Sequence, residues 1–300
     1  MPTKKIILSI DVEDWFQVEN LKDCIAYSSW DSQIFRVEYN THRILDLLDY
    51  YKRAKTENHL ETNRFSATFF ILGWIAKRLP QLVREIQSRG HEVASHGYSH
   101  KLAINLTENQ FRNDLVRSKK LLEDITGSSV IGYRAPSFSI NAEILKIIYE
   151  CGFRYDSSYN SFSMNHKYGK IDLSKKPRSG IAYQIFYKFY ELPITNLEIT
   201  RNKVLPLGGG GYFRLLPFNL FKCGTNCMLK KNGTFLFYLH PWEIDPFTPR
   251  FGAVSFSKKF RHCVNLKETF SKFSFFIESL IDHDFISCRG YIDQKLPDIC

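Results

Sequence analysis

Four short polar segments, each at the end of an apolar run, constrain this chain more than any other feature. They are Asp11-Val12-Glu13-Asp14, His96-Gly97-Tyr98-Ser99-His100, Arg134-Ala135-Pro136-Ser137-Phe138 and His240-Pro241-Trp242-Glu243, and the runs before them are residues 6–10, 92–95, 130–133 and 235–239. A parallel α/β protein assembles its active site at the carboxyl ends of its strands. Polar, metal-capable side chains placed there four times in order predict a metal-dependent hydrolase on a parallel sheet.

Between the segments the periodicity alternates. A helix is expected from about Asn40 or Thr41, with Ile44, Leu45, Leu47, Leu48 and Tyr51 on its apolar face, and residues 67–73 read as a buried strand. Pro80 opens a helix that Gly90 ends, and the strand into His96 follows directly. Thr107 and Gln110 form a capping box for a helix closed by Gly127, and a further helix from about Asn141 to Cys151 ends at Gly152. Repeated strand–helix units imply right-handed crossovers in one sheet. An aromatic and basic segment at about 157–205 interrupts the pattern and is expected to cover the site as loops or extra strands. A last helix is expected at about 264–282, with Leu266, Phe270, Phe273, Ile277 and Leu280 at helical spacing. The four glycines Gly208 to Gly211 lack the Gly-Lys-Ser/Thr of a phosphate loop and read as a tight turn placing Tyr212-Phe213-Arg214.

Three hundred residues at 44% hydrophobic suit one large domain over residues 1–300. The apolar run at 6–10 is too short for a signal peptide, and no stretch approaches the roughly 20 apolar residues of a membrane span. A cytoplasmic location is therefore expected, with peripheral membrane contact left open. Seven scattered cysteines suit a reduced compartment; Cys223 and Cys227, with His262-Cys263 further on, are too loosely spaced to favour a structural zinc site. The net charge of +10 comes without any nucleic-acid motif, so no nucleic-acid partner is expected. Part of it is local: Lys167, Lys170, Lys175, Lys176, Arg178, Lys188, Arg201 and Lys203 fall within 165–205 against Asp172, Glu191 and Glu198. Such a patch suits a phosphate-bearing or lipid-linked substrate, or is simply a solvated loop.

His96 and His100 would share one face if their segment were helical. As a lone pair they would pass for surface histidines, but directly after a strand, with small or polar residues between, they read as ligands. Two imidazoles and one carboxylate leave an open position, the pattern of a catalytic metal site. The carboxylate comes from the first strand, where alternation puts Asp11 and Glu13 on one face and Asp14 at the strand end. One acid can bind metal while another takes a proton. Arg134 is placed to orient the base carboxylate, or else makes a structural salt bridge. His240 can protonate a leaving amine, and standing alone would read as a core histidine.

This ordered set resembles the polysaccharide deacetylase (NodB-homology) family, carbohydrate esterase family 4, over about residues 5–245. Ala67-Thr68-Phe69-Phe70 is similar to the family's second strand, and Asp-Val-Glu-Asp-Trp, Gly-Gly-Gly-Tyr-Phe-Arg and His-Pro-Trp-Glu resemble an exopolysaccharide or lipopolysaccharide biosynthesis subgroup. The resemblance implies a distorted (β/α) barrel with fewer strands than eight and hydrolysis of an N-acetyl group from an amino sugar, nucleotide- or lipid-linked or polymeric. It implies Asp11 as base, His240 as acid, Arg134 as catalytic support, and one divalent metal ion, usually zinc, on Asp14, His96 and His100. The usual first motif has adjacent aspartates; here Glu13 competes with Asp14, which is favoured for its short side chain at the strand end. Pro136, Phe138, Asp156 and Trp242 are the implied substrate contacts, with Asp156 also a candidate to orient a catalytic group or cap a loop. Two other readings keep the fold: an amidohydrolase on a small cyclic amide, and a non-catalytic carbohydrate-binding protein.

Overall fold

A computed structural model describes residues 4–57, 65–162, 168–200, 203–249 and 256–295. Lys167, Arg201 and Cys300 lie outside the described residues. The strands are β1 (Lys5–Val12), β2 (Thr68–Ile71), β3 (Glu92–Ser95), β4 (Gly132–Tyr133), β5 (Tyr155–Asp156), β6 (Arg178–Ser179), β7 (Ala182–Phe186), β8 (Phe189–Glu191), β9 (Leu197–Thr200), β10 (Lys203–Leu205), β11 (Thr234–Leu239) and β12 (Asp284–Ile286). The helices are α1 (Val37–Glu57), α2 (Gly73–Arg78), α3 (Pro80–Ser88), α4 (Glu108–Thr126), α5 (Ala142–Glu150), α6 (Gly210–Leu215), α7 (Phe218–Asn232), α8 (Phe256–Cys263), α9 (Leu266–Glu278) and α10 (Cys288–Lys295).

The main sheet runs β11-β1-β2-β3-β4-β5-β8-β7-β6, parallel from β11 through β8, with β12 pairing the start of β1. This is the expected α/β fold, a distorted (β/α) barrel. Between β5 and β11, residues 192–196 and 208–209 bridge the gap: Leu192 N–H donates to Asp156 O, Leu236 N–H to Thr195 Oγ1 and Tyr238 N–H to Gly208 O.

Strand β1 shows why the site lies where it does. Its side chains alternate between two cores. Ile6, Leu8, Ile10 and Val12 face the large outer core under the helices, while Ile7 joins the inner cluster with Phe70, Ala94, Tyr155, Leu236 and Tyr238. Ser9 and Asp11 fall on the Ile7 face and so project into the barrel, and Glu13 continues that parity beyond the strand.

The expected capping box on α4 is present, with Thr107 accepting from Gln110 N–H and Gly127 in the left-handed region at φ 64°. Asn141 caps α5. Helix α1 starts at Val37, earlier than its apolar stripe suggested, because its first turn is capped by a distant acid described below. The 157–205 segment takes the extra-strand form: β8, β7 and β6 extend the sheet, and β9–β10 forms a separate antiparallel pair. Its basic residues Lys170, Lys175, Lys176 and Arg178 are exposed, with Arg178 on the terminal strand β6. Cations on an edge strand deter edge-to-edge pairing, which favours the solvated reading of the patch. Cys151, Cys223, Cys227, Cys263 and Cys288 are free thiols. Among the described residues no helix is long and apolar enough to cross a membrane.

Candidate metal centre and active site

Two strand ends deliver the donor set. Glu13 follows β1, and His96 and His100 follow β3; Glu13, His96 and His100 each offer a ligand atom within 4.8 Å of the others, all buried. The histidine segment is a loop rather than the helical turn considered from its spacing. Gly97 (φ 73°) and His100 (φ 54°) take left-handed conformations there, and the imidazole centroids lie 5.5 Å apart. A non-glycine residue at positive φ costs on the order of 1–3 kcal/mol and persists only where its surroundings impose it. Here Asp114 of α4 does so, accepting from Tyr98 N–H (2.7 Å), Ser99 N–H (3.2 Å) and Ser99 Oγ–H (2.8 Å). A Cβ on Gly97 would sit 2.8 Å from Asp114 Oδ2, so only glycine fits under that clamp. Asp114 lies on α4, apart from the motifs in sequence, and only its proximity to the loop reveals the role.

The expected ligand Asp14 is corrected to Glu13. Asp14 points to the opposite side, where Oδ1 accepts from Trp15 N–H (2.8 Å) and Oδ2 from Arg36 N–H (2.8 Å) and Val37 N–H (2.9 Å). It caps the start of α1, and this use consumes its acceptors. The period-two parity of β1 excludes it from the barrel, and the longer Glu13 reaches the histidines instead.

The donor set suits a divalent cation. His96 Nδ1–H donates to the Arg134 carbonyl (2.8 Å), which leaves Nε2 as a lone-pair donor. Burial lowers the pKa of His96 to about 4, so the ring is neutral at neutral pH. His100 Nε2 and Glu13 Oε2 lie 2.6 Å apart, and Glu13 Oε1 is 3.1 Å from His240 Nε2. Burial alone would raise the Glu13 pKa, but the charges of and hydrogen bonds from His100 and His240 take it well below its ordinary value. Burial alone would depress His100, and Glu13 raises it. Without a cation, protons thus supply the positive charge that Glu13 requires; sites of this kind release protons when they take up metal.

Arg134 at the end of β4 is wholly buried. Its Nη1 donates to Asp11 Oδ1 (2.6 Å) and Ser9 Oγ (2.9 Å), while Nε and Nη2 reach Ser157 O and Ser157 Oγ at 2.9 Å each. Its guanidinium packs 4.1 Å from the Phe70 ring centroid. Asp11 Oδ2 stays directed toward His240 Nε2, 3.9 Å away. Arg134 thus orients Asp11 from behind and presents no face to a ligand.

The four expected substrate contacts are all packed inside the fold. Asp156 is fully buried in β5, accepts from Ser158 N–H (2.9 Å) and Ser158 Oγ–H (2.8 Å), and opposes Glu191 of β8. Burial raises both carboxyl pKa values, and Asp156 pushes Glu191 further up. Pro136 is buried, and Phe138 is packed edge-on against Tyr238 (5.0 Å) and Tyr168 (5.2 Å). Trp242 is buried with its ring stacked on His262 at 4.4 Å and on His240 at 5.5 Å. All four are thus as buried as Asp11, His96 and His100. A cavity of about 400 Å³ is lined by Ser99 and His100 of the second motif together with residues outside the motifs, among them Gln17, Tyr27, Trp30 and Asn105.

Residues 25–155 match the polysaccharide deacetylase family, and residues 157–293 match a domain of unknown function (DUF3473). The resemblance to the polysaccharide deacetylase family is thus borne out over residues 25–155. It is 33% identical over 115 residues to a peptidoglycan deacetylase of Helicobacter pylori, covering 36% of this chain and 39% of that protein. It is 31% identical over 114 residues to a peptidoglycan-N-acetylglucosamine deacetylase of Bacillus cereus, covering 38% and 47%. The aligned stretches thus span less than half the length of these relatives. A crystal structure from Mycobacterium smegmatis assigned to the polysaccharide deacetylases superposes over 99% of this chain and 93% of that one, with a TM-score of 0.61 at 18% identity. A peptidoglycan N-acetylglucosamine deacetylase (Bc1960) superposes with a TM-score of 0.52 at 15% identity, covering 99% and 89%. These likenesses are of fold.

Proposed function

We propose that the chain is a metal-dependent N-deacetylase that removes the acetyl group from an amino sugar during cell-surface polysaccharide synthesis in the cytoplasm. One observation carries the reading. The buried Glu13–His96–His100 donor set lies beside the Nε2 of His240, which in turn faces Asp11, a carboxylate held by arginine. The relatives' activity on peptidoglycan supports the substrate class.

A divalent ion, zinc in this reading, would be held by Glu13, His96 and His100 and would supply Lewis acidity toward the acetyl carbonyl and the attacking water. Asp11, fixed through Oδ1 by Arg134, takes the proton of that water on Oδ2. The water oxygen bonds to the carbonyl carbon, and His240 gives its Nε2 proton to the sugar nitrogen as the C–N bond breaks, leaving acetate and the amine. A substrate anionic through a nucleotide or lipid phosphate fits the chain's positive charge.

Acetate release from N-acetylglucosamine oligomers, peptidoglycan fragments and nucleotide-linked N-acetyl sugars tests the reading. Turnover should vanish on chelation, return with zinc, and be lost in His96→Ala and Asp11→Asn. Undiminished acetate release in those variants would end it.

A further inference from the structure

Two features of the sequence have no part in the steps above: the Gly208–Gly211 run with Arg214, and the last residue of His-Pro-Trp-Glu. The fold joins them. Glu243 is buried, and its Oε2 lies 2.9 Å from His240 Nδ1 and accepts the His240 backbone N–H at 3.0 Å. Its Oε1 accepts from Arg214 Nε at 3.0 Å. The Arg214 guanidinium is locked in turn: Nη1 donates to His262 O (3.0 Å) and Val264 O (2.9 Å), and Nη2 to Arg261 O (2.9 Å). Helix α6, which carries Arg214, can approach only because it opens with glycine, since a Cβ on Gly210 would sit 2.0 Å from Glu243 Oε2. Gly211, next along, has nothing within 4 Å of its Cβ position.

We infer that Glu243 is the positioning residue for His240, accepting its Nδ1–H so that Nε2 faces the Asp11–Glu13 pocket, with Arg214 as the fixed backing of Glu243. The role rests on the assignment of His240 as proton donor in the proposed deacetylation. An ionised carboxylate only accepts, so the shared hydrogen belongs to the ring, and the orientation of Nε2 follows. Trp242, stacked on the imidazole, restricts its remaining tilt. The whole arrangement, from Arg214 to His240, comes from the part of the chain matched by the domain of unknown function.

Glu243→Gln tests this. Arg214 would hold the amide oxygen, turning an NH₂ group toward His240 Nδ1 and its backbone N–H, where an acceptor is required. Two probes separate positioning from general structure: an N-acetylglucosamine tetramer, whose amine must be protonated to leave, and 4-nitrophenyl acetate, whose phenolate need not be. The variant should lose about 10²- to 10⁴-fold in kcat on the tetramer with KM within about twofold, and lose less than about tenfold on the ester. His240→Ala should show the same split. Nitrogen-15 histidine NMR of the intact chain should show a hydrogen-bonded Nδ1–H signal that is absent in His240→Ala and lost in Glu243→Gln. Equal losses on both probes, or an unchanged Nδ1–H signal in Glu243→Gln, would overturn the inference. Wild-type protein that releases no acetate, yet shows the signal and its loss, would sink the deacetylase reading and uphold the positioning role. If Glu243→Gln does not fold, Gly210→Ala, which displaces the same carboxylate, gives the same readouts against Gly211→Ala.

Discussion

The neighbouring acids Glu13 and Asp14 give the sharpest separation of a metal ligand from a structural acid. Asp14 accepts three backbone N–H groups and is wholly buried. Asp14→Ala removes a helix cap and strands buried donors, at a combined cost of about 2–4 kcal/mol. For a domain of this size that lowers Tm by about 3–6 °C, while metal content should stay at about one ion per chain. Glu13→Ala should do the reverse. Once the carboxylate is gone, His100 and His240 can shed their protons, so chelated protein should lose no more than about 1 kcal/mol. Its metal content, however, should collapse. The assay is elemental mass spectrometry on both variants, paired with thermal unfolding with and without chelator. Metal retained by Glu13→Ala and lost by Asp14→Ala would refute the assignment of the donor set.

His91 is 4% exposed and its Nδ1 accepts Ala67 N–H (3.2 Å), and burial, with Lys52 and Arg89 nearby, lowers its pKa from 6.5 to about 4. The unfolded chain therefore binds the extra proton below pH 6.5, so stability is full above that pH and falls between 6.5 and 4, by about 2 kcal/mol at pH 5; urea unfolding of wild type and His91→Gln should show this slope only in wild type. Arg134→Lys keeps a charge but loses the fork that spans Ser9, Asp11 and Ser157; kcat should fall at least about tenfold, and an unchanged kcat would contradict the orienting role. Gly210→Ala should lower kcat while Gly211→Ala leaves it within about twofold, because only the first Cβ strikes Glu243; equal effects would show that the glycine run acts through its backbone alone.

Local chemistry was the legible part of this sequence. The β1 alternation, the Thr107–Gln110 box and the glycine and proline boundaries each rest on interactions within a few residues, and each is found in the fold. The convergence of Asp11, His96, His100, Arg134 and His240 was legible for a related reason: each lies at or beyond a strand end, and the parallel sheet brings strand ends together. Asp14 misled because its partners, Arg36 and Val37, lie more than twenty residues away, and nothing local shows that α1 is capped from β1. The surroundings of Asp156 were illegible for the same reason, since its partner Glu191 sits on β8, inside a segment whose strands carry no strong periodicity.

The same contrast explains how the site divides along the chain. The donor set and the arginine-held base depend on β1, β3 and β4, whose ends are adjacent by sheet order. The acid side depends on β11, which reaches β1 only after the chain has crossed β5, extended the sheet with β8, β7 and β6, and returned through residues 192–196 and 208–209. His240 therefore cannot be placed by the early strands alone; it needs Arg214 and Glu243, which travel with it in the second half. The two halves meet at Glu13, which faces His100 through one oxygen and His240 through the other. A substitution that loosens the register of β11 against β1 would separate these groups without touching any of them, so the distance from Asp11 to His240 depends on that strand pair as much as on the residues themselves.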